Sequence, residues 1–386
     1  MEKIPLLLIF LGHVAVDASQ GTLPVVVAEL KNVFGLTYFQ VGLMMMVLNL
    51  TSSVIQPIFG IISDRFRTGW FVPAGILWTA VAMGLVGWSP NYLTAVLLVG
   101  LAGLGTAAFH PRAMMAVYLV SGLKRGFGAA IFSTGGNLGF ALGPVLGSVL
   151  VLGSGLHATL WLIPAGVLLF LVITFYPNDF LRRDARKGGA AAASGAVAAT
   201  AVPWISLIAV CLIVTLRSWV YMSSITYMPM LFQSRGIHLS SGSLILTLFL
   251  ASGAAAGLYG GHLSDRIGRK SVIVGSSILF PVLAGLMLLM QGPLIWVLAG
   301  AAGAALLASF SVTIVLAQEL LPRHLGLASG LILGLGFGTG GLGTALSGWL
   351  ADHIGLTHTF WILAAAPLVS AGLTLLIKPP RPVRPD

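Results

Sequence analysis

The sequence predicts an all-α membrane protein with twelve transmembrane helices in two pseudo-symmetric six-helix bundles. Three observations carry this expectation. Of the 386 residues, 57% are apolar and 8% are charged, whereas a soluble domain carries about 25% charged residues. The chain has too little polar side chain to cover a water-exposed surface, so it must face lipid over most of its area. Apolar stretches long enough to cross a bilayer, about 20 residues each, recur along the chain. The two halves also repeat each other at an offset of roughly 200 residues.

The stretches of spanning length lie at about 4–30, 39–63, 71–89, 92–119, 127–151 and 158–176, and again at about 204–232, 240–263, 271–290, 294–319, 327–351 and 357–377. The first begins after Glu2 and Lys3, as a signal peptide would. It contains His13 and Asp17, however, and eleven more spans follow, so it is expected to be the first transmembrane helix. The segment 177–203 runs from Arg182-Arg183-Asp184-Ala185-Arg186-Lys187 into Gly, Ala and Ser, and reads as a flexible linker. The expected organisation is therefore an N-terminal bundle over 1–176, a linker over 177–203, a C-terminal bundle over 204–377 and a tail over 378–386. The 49 Gly and 19 Pro would damage soluble helices. Membrane helices tolerate them, because small residues allow close approach and neighbours satisfy freed backbone groups.

Charge tests the topology. With the N-terminus placed inside and the spans alternating, 16 of the 20 Lys and Arg fall on the cytoplasmic side. Lys31 and Arg235 fall outside, and Arg112 and Arg217 fall within spans. This is the positive-inside bias, and it accounts for the net charge of +10 without a nucleic-acid partner. It places both termini in the cytoplasm, and the protein is expected in a bacterial inner membrane, as a monomer. Cys211 has no second cysteine to bond with and reads as helix packing.

The repeat is visible in motifs. Gly60-x-x-Ser63-Asp64-Arg65 matches Gly261-x-x-Ser264-Asp265-Arg266. Gly126, Gly136 and Gly143 match Gly326, Gly336 and Gly343, and Pro24 has a counterpart in Pro229. A duplicated six-helix unit of this kind places a binding site near the bilayer midplane. The run Gly261-His-Leu-Ser-Asp265-Arg266-Ile-Gly268-Arg269-Lys270 resembles the loop signature of the major facilitator superfamily. The first copy keeps Gly60, Asp64 and Arg65 but has Arg67 where the signature has glycine. Gly135-Gly136-Asn137-Leu138-Gly139, with Gly143-Pro144 and Gly147, resembles the span 5 signature of drug:proton antiporters. Glycines spaced by four give a flat face for close helix contact, and Pro144 bends the helix. Generic helix packing would use the same residues.

Within that superfamily the chain resembles the fosmidomycin-resistance efflux proteins. The resemblance rests on His13-x-x-x-Asp17, Phe109-His110-Pro111, Gly135-Gly136-Asn137, Arg217-Ser218-Trp219-Val220-Tyr221 and Ala317-Gln318-Glu319-Leu320-Leu321-Pro322. It implies the major facilitator fold and proton-driven export of small, anionic or amphiphilic antibacterial compounds. Arg112 is similar to the span 4 arginine of drug antiporters, without the glutamine-glycine that follows it there.

An ionised side chain at the membrane centre costs about 2.5–3.5 kcal/mol on insertion scales, so each one needs a partner or a task. Asp17, Arg112 and Arg217 lie in span interiors, and Glu319 lies near the cytoplasmic end of span 10. His13, Asp17 and Gln20 share a helix face at spacings of four and three. Asp17 is the expected proton carrier, with Glu319 its rival in the second half, and His13 is its neighbour in coupling. The alternatives are a fixed Asp17–arginine pair and a hydrogen-bonded structural His13. Arg112 and His110 are expected to line the cavity, where Arg112 would offset Asp17 or meet an anionic substrate. Arg217, Tyr221 and Ser224 form a second polar face, and Asn49, Ser53, Gln56 and Asn137 offer neutral hydrogen bonds. Asp64 and Arg65, with Asp265 and Arg266, are expected to gate, together with Gly143 and Pro144. Asp64 would sit at the start of span 11 near Gly326, and Asp265 at the start of span 5 near Gly126. The expected partners are protons and a small-molecule substrate, with no cofactor. An uptake symporter for a small organic anion is the alternative reading. A receptor would call for soluble sensor domains. An enzyme would call for a metal-ligand cluster or a nucleophile with its base, and neither is legible in the linear sequence.

Overall fold

The lipid-facing composition resolves into helices throughout. The computed structural model describes residues 1–66, 68–122, 124–177, 179–181, 203–321 and 325–378. Among the described residues, twelve helical rods follow in chain order. They are α1 (Lys3–Phe34), α2 (Tyr38–Ser63), α3 (Phe71–Val86), α4 (Tyr92–Val120), α5 (Phe127–Ser154) and α6 (Leu156–Phe175), then α7 (Trp204–Ser234), α8 (Leu239–Ile267), α9 (Arg269–Leu289), α10 (Leu294–Leu320), α11 (Leu325–Ile354) and α12 (Leu356–Leu375). Ten of them are long and apolar enough to span a bilayer, and α3 is a shorter apolar helix. The remaining rod, α11, has 30 residues.

The repeat survives in the backbone. Gly155 ends α5 at φ +78° and Gly355 ends α11 at φ +80°, a left-handed turn that glycine adopts without a Cβ penalty. Three rods are interrupted. The helix of α1 breaks at Thr22, just before Pro24. In α2, Leu50–Val54 is a π-helical turn. In α10 the helix breaks at Ala308 and Ser309. Broken helices survive in membranes where the freed groups are buried in protein.

The rods gather into two compact units. The first contains Met1–Ala193, Ile225–Thr247 and Thr344–Asp352. The second contains Ser194–Ser224, Leu248–Gly343 and His353–Asp386. Contacts thus divide the chain differently from the expected boundary between the half-chains, because Ile225–Thr247 and Thr344–Asp352 adhere to the first unit. Most of the expected linker and of the tail lies outside the described residues.

In the first unit, α1 lies along the glycine face of α5. A Cβ on Gly21 would come within 2.9 Å of the Gly143 Cα and of the Phe140 carbonyl, and one on Gly143 would run into the Gly21 backbone. Gly147 meets Thr22, Gly139 meets Val14 and Ala18, and Gly135 meets Phe10. The second unit repeats this with α11 on α7, where Gly336 faces Ser218, Gly340 faces Met222 and Gly343 faces Trp219. Around these crossings, Ile9, Val72, Ile76, Phe109, Phe132 and Ile173 form the apolar core of the first unit. Val210, Ile213, Val272, Val312, Leu316 and Ile332 form that of the second.

Gly143→Ala is therefore expected to destabilise the protein by about 1–3 kcal/mol, the usual penalty of overpacking. The matched change Gly153→Ala, where a Cβ meets nothing within 4 Å, should leave thermal unfolding in detergent unchanged or raise its midpoint slightly.

Candidate functional site

The polar side chains of α1 converge with one from α4. His13 and Asp17 are one turn apart, and His13 Nε2 lies 3.2 Å from Asp17 Oδ2. His110 on α4 joins them, with its Nε2 3.0 Å from His13 Nε2 and 3.6 Å from Asp17 Oδ1. His13 and Asp17 are buried and His110 is half-buried. The other nitrogen of each ring is anchored to a backbone carbonyl. His13 Nδ1 is 2.8 Å from the Phe132 oxygen, and His110 Nδ1 is 3.0 Å from the Thr106 oxygen. The His13 ring also stacks on Phe132 at a centroid distance of 3.9 Å. Gly136 on α5 makes room for the cluster, since a Cβ there would come within 2.8 Å of Asp17 Oδ2.

His13, Asp17 and His110 are three side chains of metal-ligand type with ligand atoms within 4.8 Å of one another, a grouping the linear sequence did not reveal. Ligands at about 2.0 Å from a tetrahedral ion lie about 3.3 Å apart. The 3.0 Å between the two Nε2 atoms is instead hydrogen-bond distance.

The other expected residues divide between this site and elsewhere. Gln20 is buried on α1. Asn49 is buried and donates to the Met45 carbonyl at 2.9 Å, just before the π turn. Asn137 is exposed on α5, Tyr221 is half-buried on α7, and Gly143 and Pro144 are buried in α5. Arg112 does not join Asp17. It donates to the Leu181 carbonyl, away from His110. The reason is helical geometry, because residues two apart point about 200° away from each other, so His110 and Arg112 cannot serve one face.

Arg217 is buried in the second unit at the break in α10. Its Nη1 donates to the Ser309 carbonyl at 3.1 Å and to Thr313 Oγ1 at 2.9 Å, and its guanidinium lies 5.0 Å from the Phe310 ring centroid. No acidic side chain pairs with it among the described residues. Glu319 is already engaged, accepting from Arg269 Nη2 at 3.2 Å. Arg269 also holds Asp265, its neighbour one turn back. Asp265, Arg266 and Arg65 are exposed. The side chain of Asp64, and the surroundings of Gly126 and Gly326, lie outside the described residues.

One constellation was missed from sequence. At the start of α2 in the first unit, all four free helix N–H groups are satisfied. Thr37 and Gln40 form a reciprocal capping box, and Asp352 accepts from the Tyr38 N–H at 2.8 Å and the Phe39 N–H at 2.9 Å. Tyr227 Oη lies 2.9 Å from the Tyr38 oxygen and 3.0 Å from the Thr344 oxygen, so its single proton serves both carbonyls. Lys31 Nζ sits 4.4 Å from the Tyr38 ring centroid. The signal available was the Thr37-x-x-Gln40 capping pattern, which marks a helix N-terminus where a carboxylate is favoured.

Duplicated six-helix architecture with buried polar residues on broken helices defines a membrane transporter rather than an enzyme. Residues 9–242 and 210–386 match the Major Facilitator Superfamily model, and the chain belongs to that superfamily. It is 32% identical over 365 residues to the Fosmidomycin resistance protein of Escherichia coli K12, covering 94% of this chain and 89% of that one. It is 27% identical over 383 residues to the Probable sulfoacetate transporter SauU of Cupriavidus necator, covering 91% and 87%. Among solved structures, a bacterial homolog to the human lysosomal transporter Spinster, inward-facing and occupied, superposes with a TM-score of 0.80 at 15% identity over 96% of both chains.

Truncating Asp352 to alanine is expected to free the Tyr38 and Phe39 amides. Loss of such a helix-terminal acceptor typically costs about 1 kcal/mol, so hydrogen exchange at these two amides should rise roughly fivefold. Exchange at Gln40, capped by Thr37, should change less.

Proposed function

We propose that this protein is a proton-coupled efflux antiporter that exports small anionic or amphiphilic antibacterial compounds, fosmidomycin-like in character, by alternating access. The observation that carries the reading is the buried cluster of His13, Asp17 and His110 in an otherwise apolar bundle. Titratable groups in a membrane interior mark proton and substrate pathways. The 32% identity to a fosmidomycin resistance protein favours export of an antibacterial compound. On this reading the protein is a monomer in the bacterial inner membrane with both termini in the cytoplasm. The two half-chain bundles, 1–176 and 204–377, rock against each other. Asp64-Arg65 and Asp265-Arg266 act at the inner gate, and the Asp352 and Tyr227 contacts act at the outer one.

Arg217 sets the sign of the cargo. A buried guanidinium without an acidic partner among the described residues leaves donors and a positive charge for an anion. Arg217→Ala should weaken binding of an anionic cargo by roughly tenfold to a hundredfold, the size of a lost charge-assisted hydrogen bond. Binding of a neutral cargo should change far less. A cationic dye that bound best in a direct assay would reverse this assignment.

A second reading, uptake symport of a small organic anion, is favoured by one feature. The partners of Asp17 here are histidines and not arginines. A proton that arrives on this cluster cancels the Asp17 charge, which lifts the repulsion of an anion rather than competing with it. The relative SauU, a probable sulfoacetate transporter by name, points the same way. The two readings differ in the direction of proton movement when cargo is added to proteoliposomes under a pH gradient. Cargo and protons moving in opposite directions support export, and movement together supports uptake. In either case Asp17→Asn is expected to abolish uphill transport while cargo still binds. Coupling at the wild-type rate in that variant would make Asp17 a structural residue.

A further inference from the structure

The tautomers of the two histidines are fixed by what they face. A carbonyl oxygen can only accept a hydrogen bond. The Nδ1 atoms of His13 and His110, at 2.8 Å from the Phe132 oxygen and 3.0 Å from the Thr106 oxygen, must therefore both carry hydrogens. A neutral imidazole has only one N–H. If both rings were neutral, two bare lone pairs would face each other across the 3.0 Å between the Nε2 atoms, and both would also face the Asp17 carboxylate. Nothing in that arrangement attracts. One additional proton turns each repulsive contact into an attractive one. It forms an N–H···N bond between the rings and gives the pair a positive charge, opposite the Asp17 oxygens at 3.2 and 3.6 Å.

We infer that His13 and His110 share a single proton between their Nε2 atoms, and that this histidine pair is the proton-carrying group, with Asp17 as its counter-charge. The inference rests on the reading of this cluster as the coupling site and changes which atoms carry the proton. The same proton placed on Asp17 would also leave the cluster neutral, but two bare lone pairs would still face each other across the 3.0 Å between the Nε2 atoms. A proton on the rings removes that repulsion and keeps the buried cluster neutral overall. The surroundings agree. The face of α5 against the cluster supplies Phe132, Gly136 and Gly139, with no charge, and α4 adds the Phe109 ring. The described titratable groups facing each ring are the other histidine and Asp17. Release of the proton leaves an uncompensated carboxylate between two lone pairs, so release must accompany a movement that separates the rings or admits water. This ties the proton to the conformational cycle through the α1–α4 contact.

The test uses the full chain reconstituted in lipid nanodiscs. Infrared difference spectra across a pH jump report where the proton lands. The expected result is a change in imidazole bands that is absent in His110→Gln, with no protonated-carboxyl band attributable to Asp17. In spectra of the 15N-histidine-labelled wild type, His13 and His110 should both show protonated Nδ1 and take up about one proton between them. A carboxyl band that disappears in Asp17→Asn would overturn the proposal, as would a wild-type spectrum in which either Nδ1 is bare. A spectrum that changes on adding a chelator would overturn it in favour of a bound metal ion. The outcomes stay separable from the transport reading. If cargo moves without protons while the shared proton is still seen, coupling fails and the proton assignment stands. If protons move with cargo but reside on Asp17, coupling stands and the assignment fails.

Discussion

The contact of α1 with α5 brings two backbones together, and it depends on glycine at both sides of the crossing. Lipid tails are as apolar as leucine, so no hydrophobic force drives two helices together within a bilayer. Close packing and internal hydrogen bonds must do it instead. Gly21 and Gly143 meet backbone to backbone, and Gly135, Gly139 and Gly147 extend the flat face along α5. The second unit repeats the solution with Gly336, Gly340 and Gly343 of α11 against α7. The high glycine content is thus concentrated where it sets interhelical distance, and where the chain must turn left-handed, as at Gly155 and Gly355.

That contact also builds the site. Because α5 has only hydrogens at Gly136 and Gly139, the polar face of α1 can lie directly against it. His13 then reaches the Phe132 carbonyl and stacks on the Phe132 ring. The same rotation of α1 presents Asp17 and His13 to His110 of α4. Each ring is held at its Nδ1 by backbone, so the orientation of the cluster is set by helix packing and not by the side chains themselves. A group held this way can change its protonation without changing its anchors.

Much of this was legible in the sequence, and the parts that were not have identifiable reasons. The apolar runs, the glycine spacing and the His13–Asp17 face are local patterns, and each found its structural counterpart. The entry of His110 into the same cluster depends on two helices crossing at a particular height, which no local pattern encodes. Arg112 and His110 are neighbours in sequence but lie on different helix faces, and the structure turns Arg112 to the Leu181 carbonyl. Glu319, the rival carboxylate of the second half, is tied to Arg269, a pairing hidden by their separation of 50 positions. Tyr227 and Asp352 carry no such local signal, because their partners are backbone groups of α2 and α11, which side-chain patterns do not display.

The two kinds of contact differ in what they permit. The α1–α5 crossing has no side chain to rotate away, so it breaks only if the helices separate, and it suits a bundle that moves as one body. The contacts at the start of α2 are few and polar. Asp352 accepts two backbone hydrogen bonds and Tyr227 shares one proton between two carbonyls. At about 0.5–1.5 kcal/mol net for each such bond, the set amounts to a few kcal/mol. Reversing a two-state population from 1:99 to 99:1 takes about 5.5 kcal/mol. A seal of that size holds one state in the absence of ligand yet yields to a modest difference in binding energy. An alternating-access gate needs this property, and a glycine-packed crossing cannot supply it. The fold thus places its unbreakable contacts beneath His13, Asp17 and His110 and its breakable ones at the start of α2.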